Sequence, residues 1–205
     1  MKSEKVYLAG KRAADILLSS AAAIVLFPPM VIIAAMIRID SPGANPIFSQ
    51  KRVGFRGKEF LMYKYRTMIP HAEEMLDQLI SSNEMHEPVF KMTADPRVTR
   101  LGHFLRRTSL DELPQLWNVI RGEMSLVGPR PALPREVEQY SDYQKKRLSV
   151  KPGMTCYWQV QPGRNRCSFD DWVEMDLKYI RERSFRTDFL ILLKTVKAVL
   201  RMDGI

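Results

Sequence analysis

Three stretches of the chain gather cations around a few carboxylates: KYRTM (Lys64 to Met68), DPRVTRLGHFLRRTSLDELPQLWNVIRGEMSLVGPRP (Asp95 to Pro131) and KPGMTCYWQVQPGRN (Lys151 to Asn165). Cations placed this way orient phosphates and screen their charge, and arginine adds bidentate contact to phosphate oxygens. Lys64, Arg66, Arg106 and Arg130 suit that work. A carboxylate set among them can act as a nucleophile through an acyl phosphate, which divides one difficult displacement into two easier ones. It is a weak nucleophile toward any anionic phosphate, so positioning and electrostatics must supply most of the catalysis.

The same residues admit plain structural roles. Ser109-Leu-Asp-Glu112 fits a capping box with Ser109 as N-cap and Glu112 as its partner, and Asp111 alone fits a cap for a helix carrying Pro114 in its first turn. Lys64 and Arg66 fit solvated strand ends, and Gly128-Pro-Arg-Pro131 fits a rigid turn. Local spacing leaves these alternatives open. His71, His86 and His103 lack metal-ligand spacing. Cys156 and Cys167 make neither a disulfide framework nor a zinc site, which fits a reducing compartment.

With 205 residues, 45% apolar and 27% charged, the chain is long enough for one main folded unit with a core. The 32 Lys and Arg against 23 Asp and Glu leave +9, which favours an anionic partner: nucleic acid, a phosphorylated small molecule or an anionic membrane surface. A nucleic-acid binding protein would leave a long apolar run unexplained, and no helix-turn-helix, RNP or zinc-finger pattern is present. No nucleic-acid partner is expected. A membrane-surface scaffold, in which Asp111 and Glu112 only cap a helix, is the other rival.

That apolar run, Ile16 to Ile37, holds 22 residues without a charge between Asp15 and Arg38. A straight helix of this length would reach about 33 Å, enough for a hydrocarbon core of roughly 30 Å. Pro28 and Pro29 near its middle each remove a backbone donor and predict a sharp bend. Basic residues lie on both flanks, Lys2, Lys5, Lys11 and Arg12 before, Arg38, Lys51 and Arg52 after. A helix that enters one leaflet and leaves on the same side satisfies both clusters, whereas a straight span puts one on the wrong side. Near the other end, Phe189, Leu192, Leu193, Val196, Val199 and Leu200 recur at helical spacing opposite Lys194, Lys197 and Arg201, which predicts an amphipathic interfacial helix.

Between these ends, Ile47 to Val53 and Lys58 to Tyr65 predict a hairpin closed by Gly54-Phe55-Arg56-Gly57. Helices are expected from Pro70 through HAEEMLDQLI, over Val98 to Arg106, over Glu112 to Arg121 with Gly122 as stop, over Pro134 to Val150, and over Ser168 to Arg183. The fold class is α+β, helix-rich, with a small β-hairpin or sheet.

In their order and length, the three basic stretches closely resemble the bacterial sugar transferases known as monotopic phosphoglycosyl transferases. That family carries a re-entrant N-terminal helix broken at Ser-Pro, then segments similar to KFRTM, SLDELPQ, GPRP and KPGxTGxxQVxGRN, so the likeness covers nearly the whole chain. The resemblance implies transfer of a sugar 1-phosphate from a UDP-sugar to a polyprenol phosphate, such as undecaprenyl phosphate, with release of UMP. It places the catalytic pair on Asp111 and Glu112, with Asp111 forming a covalent phosphoryl intermediate. Mg²⁺ is the implied cofactor, with Asp111 and Glu112 as its ligands. Lys64, Arg66, Arg106, Arg130 and Arg164 are the expected substrate-binding residues.

The resemblance further implies a membrane-associated segment over 1–40, a catalytic domain over 41–205, and a location on the cytoplasmic face of the bacterial inner membrane. It also implies a catalytic core without the multi-span region of larger relatives. Membrane lipid is an expected partner, and homo-oligomerisation is left open. A hexose such as galactose or glucose is the expected sugar. Two departures stand out: Cys156 occupies a position where the family has glycine, and Pro28 replaces the serine before Pro29.

Overall fold

The computed structural model describes residues 2–75, 79, 88–89, 92, 94–161 and 167–202. The N-terminal segment forms two helices, α1 (Lys2–Val25) and α2 (Phe27–Asp40), bent by 63° at the break on Leu26. Pro28 and Pro29 fall in the first turn of α2, where backbone N–H groups lack an intrahelical acceptor anyway. The two rings therefore start the second helix. At 1.5 Å per residue α2 is about 21 Å long. Among the described residues no single helix is long and apolar enough to cross a membrane.

The first half of α1 is bound to the folded body. Arg12 donates from Nη1 and Nη2 to the carbonyls of Val119 and Ile120 at 2.6 and 2.8 Å. Asp15, buried, accepts from Ser125 Oγ and from the Leu126 N–H, both at 3.1 Å. Farther along, Leu17, Leu18, Ile24 and Val25 are exposed, as are Phe27, Val31, Ile32 and Ile39 of α2. The opposite face of α2 packs Ile33 and Ile37 against Tyr65 and Leu105.

Strands β1 (Ile47–Val53) and β2 (Glu59–Tyr65) pair antiparallel, with Ile47 opposite Tyr65 and Val53 opposite Glu59. In their connection the left-handed backbone falls on Arg56 and Gly57, at φ 56° and 78°. Helix α3 (Arg100–Arg107) starts at Thr99, whose side chain accepts from the Gly102 N–H at 2.9 Å. Helix α4 (Gln115–Arg121) stops at Gly122, φ 83°. Its Val119 joins Met62 of β2 and Met124 in one apolar cluster.

Two three-residue strands, β3 (Ser125–Val127) and β4 (Gly153–Thr155), pair in parallel. The sequence reading missed them, because three residues are too few for an alternating pattern to register. Gly128 and Gly153 permit the approach: a Cβ on Gly153 would lie 2.1 Å from the Gly128 nitrogen. Helix α7 (Phe169–Glu182) begins with a capping box between Ser168 and Asp171. It carries Trp172, which stacks on Trp158 with centroids 4.1 Å apart. Helix α8 (Phe185–Leu200) buries Ile191 and leaves Phe189, Leu193, Val196 and Leu200 exposed.

Three expected elements take another form. The helix expected over 134–150 is divided into α5 (Pro134–Glu138), α6 (Asp142–Lys145) and a 3-10 turn Lys146–Ser149. Ser141 is extended and builds a new capping box with Gln144, while Tyr140 turns into the core, so cap and burial together override helical continuity. Residues 70–75 form turns in which His71 takes φ 62°, against a helix starting at Pro70; most of the remaining expected helix lies outside the described residues. The start of the Glu112 helix is a 3-10 turn, Leu110–Glu112, with α4 following at Gln115.

Candidate active site

The centre of the site is made by a close approach of backbone. A Cβ on Gly102 would stand 2.0 Å from the Thr67 carbonyl oxygen, so only glycine lets α3 lie against the chain leaving β2. One turn along α3, Arg106 donates from Nε to Thr67 Oγ1 at 3.0 Å. Ser109 then takes a left-handed conformation, φ 56°, and turns the chain directly into the Leu110–Glu112 turn. Its side chain makes no capping hydrogen bond, and Pro114 occupies the N-cap position of α4. Both capping readings are thereby corrected: the local motif is spent on a reversal that presents Asp111 inward.

Asp111 is buried, with its side chain 9% exposed, and Lys64 Nζ of β2 stands 3.8 Å from its Oδ2. Glu112, 27% exposed, accepts from the same ammonium at 2.7 Å. Burial pushes the Asp111 carboxyl up to about 6; Lys64 opposes that rise, Glu112 adds to it, and Arg106 opposes it. Burial also acts on Glu112, but there the charge and hydrogen bond of Lys64, aided by Arg130, win and hold the carboxylate below its ordinary range. Burial prevailing on one side and the closer contact with Lys64 on the other drive two adjacent carboxylates apart in acidity. Such divergence is the usual physical basis for assigning different roles to paired acids.

Arg130 reaches this centre electrostatically, while its guanidinium lies 5.9 Å from the Trp172 ring centroid. Arg66 is placed elsewhere. Its Nε donates to the Asn45 carbonyl at 2.9 Å and its guanidinium lies over Phe48 at 5.8 Å. Arg164 lies outside the described residues. Sequence reasoning overlooked Arg52, buried in β1, which donates to the Pro131 carbonyl at 3.0 Å and thereby holds the Gly128–Pro131 turn. It also overlooked Gln115, buried beside Glu112. Gln115 was legible as part of SLDELPQ, whereas nothing local marks Arg52.

The two carboxylates suit a hard cation. Among the described residues no group of three His, Cys, Asp or Glu could cage a metal. Mg²⁺, however, takes one or two carboxylates and completes its shell with water and substrate phosphate oxygens. Asp111 and Glu112 are the two residues that would contribute those carboxylates.

A family model described as "Bacterial sugar transferase" matches residues 6–202. The chain belongs to the bacterial sugar transferase family. Over 198 residues it is 42% identical to the "UDP-galactose-lipid carrier transferase" of Erwinia amylovora, covering 95% of this chain and 41% of that protein. The same figures hold for the "Undecaprenyl-phosphate galactose phosphotransferase" of Salmonella typhimurium. It is 39% identical to the "Exopolysaccharide production protein ExoY" of Rhizobium meliloti, covering 95% of this chain and 87% of that protein. The chain thus spans about two fifths of the length of the first two relatives and most of the third. Within this bacterial sugar transferase, Lys64, Arg106, Asp111, Glu112 and Arg130 converge on one centre from β2, α3, the 3-10 turn and the turn after β3.

Proposed function

We propose that this chain transfers a sugar 1-phosphate from a UDP-sugar to undecaprenyl phosphate, through a covalent intermediate on Asp111, at the cytoplasmic face of the bacterial inner membrane. The observation that carries the mechanism is the unequal pair: a buried carboxyl at about 6 beside an ionised Glu112, with Lys64 between them. Above about pH 6 Asp111 is an ionised carboxylate stripped of most of its water, and a nucleophile with little hydration to shed is the more reactive one.

An Asp111 carboxylate oxygen attacks the phosphorus bearing the sugar. The new O–P bond forms as the bond to the UMP phosphate oxygen breaks, and UMP leaves with that electron pair. An oxygen of undecaprenyl phosphate then attacks the same phosphorus and the Asp111 O–P bond breaks. The products are undecaprenyl diphosphate sugar and the restored carboxylate. Lys64 and Arg106 offset the negative charge gathered by attacker and phosphate, and Arg130, on the Glu112 side, orients the donor diphosphate. When bound by Asp111 and Glu112, Mg²⁺ would neutralise phosphate charge.

The bent helix pair supports a re-entrant insertion. It exposes apolar side chains on both arms, and among the described residues neither arm alone is both long and apolar enough to cross. The exposed apolar face of α8 supports an interfacial helix beside it. The names of the relatives favour a galactose or glucose donor and an exopolysaccharide or related glycan as the end product. UMP release from a panel of UDP-sugars with undecaprenyl phosphate, followed by mass spectrometry of the protein, tests the reading. A sugar-phosphate adduct on the peptide carrying Asp111 is expected. Unchanged UMP release by Asp111→Asn would overturn it.

A further inference from the structure

The transfer needs two phosphates to reach one centre in turn, and Lys64 and Arg106 both face Asp111, where the donor phosphate reacts. Arg66 lies outside that pair. It follows β2 by one residue, and because side chains alternate along an extended chain it shares a face with Lys64 at a distance of about 7 Å. The ladder continues through it, its N–H donating to the Pro46 carbonyl at 2.8 Å. The residue as a whole is half-buried, and its guanidinium is held at Nε by Asn45 and lies over Phe48. Among the described residues no carboxylate pairs with it and no acceptor meets Nη1 or Nη2. A cation oriented by neutral partners, with both terminal nitrogens unspent, is arranged to receive an anion.

Arg66 lines an open cleft of about 440 Å³ together with loop 42–45 and Pro70–His71. The loop leaves the end of α2 at Ser41, and Arg38 in the last turn of that helix donates to the Ala44 carbonyl at 2.9 Å. Glu74 is directed to His71 Nδ1, at 2.9 Å, and not to the arginine. Tyr65, between the two cations, donates to the Met30 carbonyl of α2 at 2.8 Å. The strand end carrying Lys64 and Arg66 is thus fastened to the apolar helix pair. A lipid whose chain lies along α2 would bring its headgroup to the level of this cleft.

We propose that the cleft at Arg66 is the docking site for the phosphate monoester of the polyprenyl acceptor, separate from the donor site at Asp111. The proposal rests on the transferase reading and gives each substrate its own cation. Arg66 holds the acceptor phosphate one strand step from Lys64, before its oxygen attacks the phosphoryl group on Asp111.

The test separates the half-reactions in the full chain. In detergent with a short-chain prenyl phosphate, Arg66→Gln is expected to raise the acceptor KM about tenfold or more, the loss of one charge-assisted contact. The KM for UDP-sugar and the exchange of labelled UMP into UDP-sugar, which needs no acceptor, should stay within about twofold. Intact exchange also shows that the variant folds. Calorimetric binding of the same prenyl phosphate should weaken in parallel, with Arg66→Lys intermediate. Equal loss in exchange, or an unchanged acceptor KM, overturns the assignment. So does a defect confined to binding phosphatidylglycerol vesicles, which would make the cleft a bulk-lipid contact. Wild-type protein that binds prenyl phosphate through Arg66 but neither exchanges nor releases UMP would sink the transferase reading and leave the phosphate site standing.

Discussion

Lys64 Nζ sits 2.7 Å from Glu112 Oε1, across 48 residues of sequence, and this contact divides the site into one settled anion and one adjustable acid. The same ammonium stands 3.8 Å from Asp111, far enough that burial dominates there.

Lys64→Met should therefore act on both rate and pH dependence. Loss of one fixed cation at a phosphoryl-transfer centre is expected to cost about a hundredfold or more in kcat. Lysine holds the Asp111 value down, so its removal should move the acid limb of kcat/KM from about 6 to higher pH. A pH–rate profile of the variant, with kcat and KM determined separately, checks both effects.

Asp111→Asn should abolish turnover yet stabilise the protein. Folding raises this carboxyl to about 6, so the native state holds the proton more tightly than the unfolded chain. The contribution is intact at low pH and is lost as pH climbs from the ordinary carboxylate range through about 6. Wild type and variant should match near pH 4, and above pH 6 the variant should be more stable by on the order of 2–3 kcal/mol. Denaturant melts across that range measure it; a gap that shrinks with rising pH would contradict the burial argument.

Gly102→Ala should damage activity from outside the reacting groups. Its methyl would collide with backbone at Thr67, so α3 must move away and carry Arg106 with it. Destabilisation of about 1–3 kcal/mol is expected from such overpacking, with a loss in kcat exceeding any change in thermal stability. Turnover measured well below the melting temperature separates the two.

Arg147 and Asp176 form an ion pair with side chains only 3% and 1% exposed. Burial raises the Asp176 carboxyl to about 6 in spite of the arginine, so the pair carries a large desolvation cost. Asp176→Ala, which strands the guanidinium, should cost about 3–5 kcal/mol, whereas an apolar replacement of both partners should cost far less. A double-mutant cycle by denaturant unfolding gives the comparison.

Several elements were legible from spacing alone. The bend beside Pro28-Pro29, the β1–β2 hairpin, the Gly122 stop and the helix starting at Ser168 each depend on a residue and its nearest neighbours, which a sequence displays directly. The basic stretches likewise identified Lys64, Arg106 and Arg130 around Asp111 and Glu112. The same local logic failed at Ser109 and over 134–150. There a capping motif and a helical pattern were overridden by the need to turn Asp111 inward and to place Tyr140 in the core.

Sequence by itself determined the residue types of the site, the apolar segment and most helix ends, because these follow from backbone sterics and short-range hydrogen bonds. Only the tertiary structure decided which adjacent carboxylate is buried and which is paired, where Arg66 is held, and how Arg12 and Asp15 fasten α1 to α4 and β3. An acidity or the setting of a guanidinium is decided by groups distant in the chain and near in space, through burial and charge, and that distance is what folding removes.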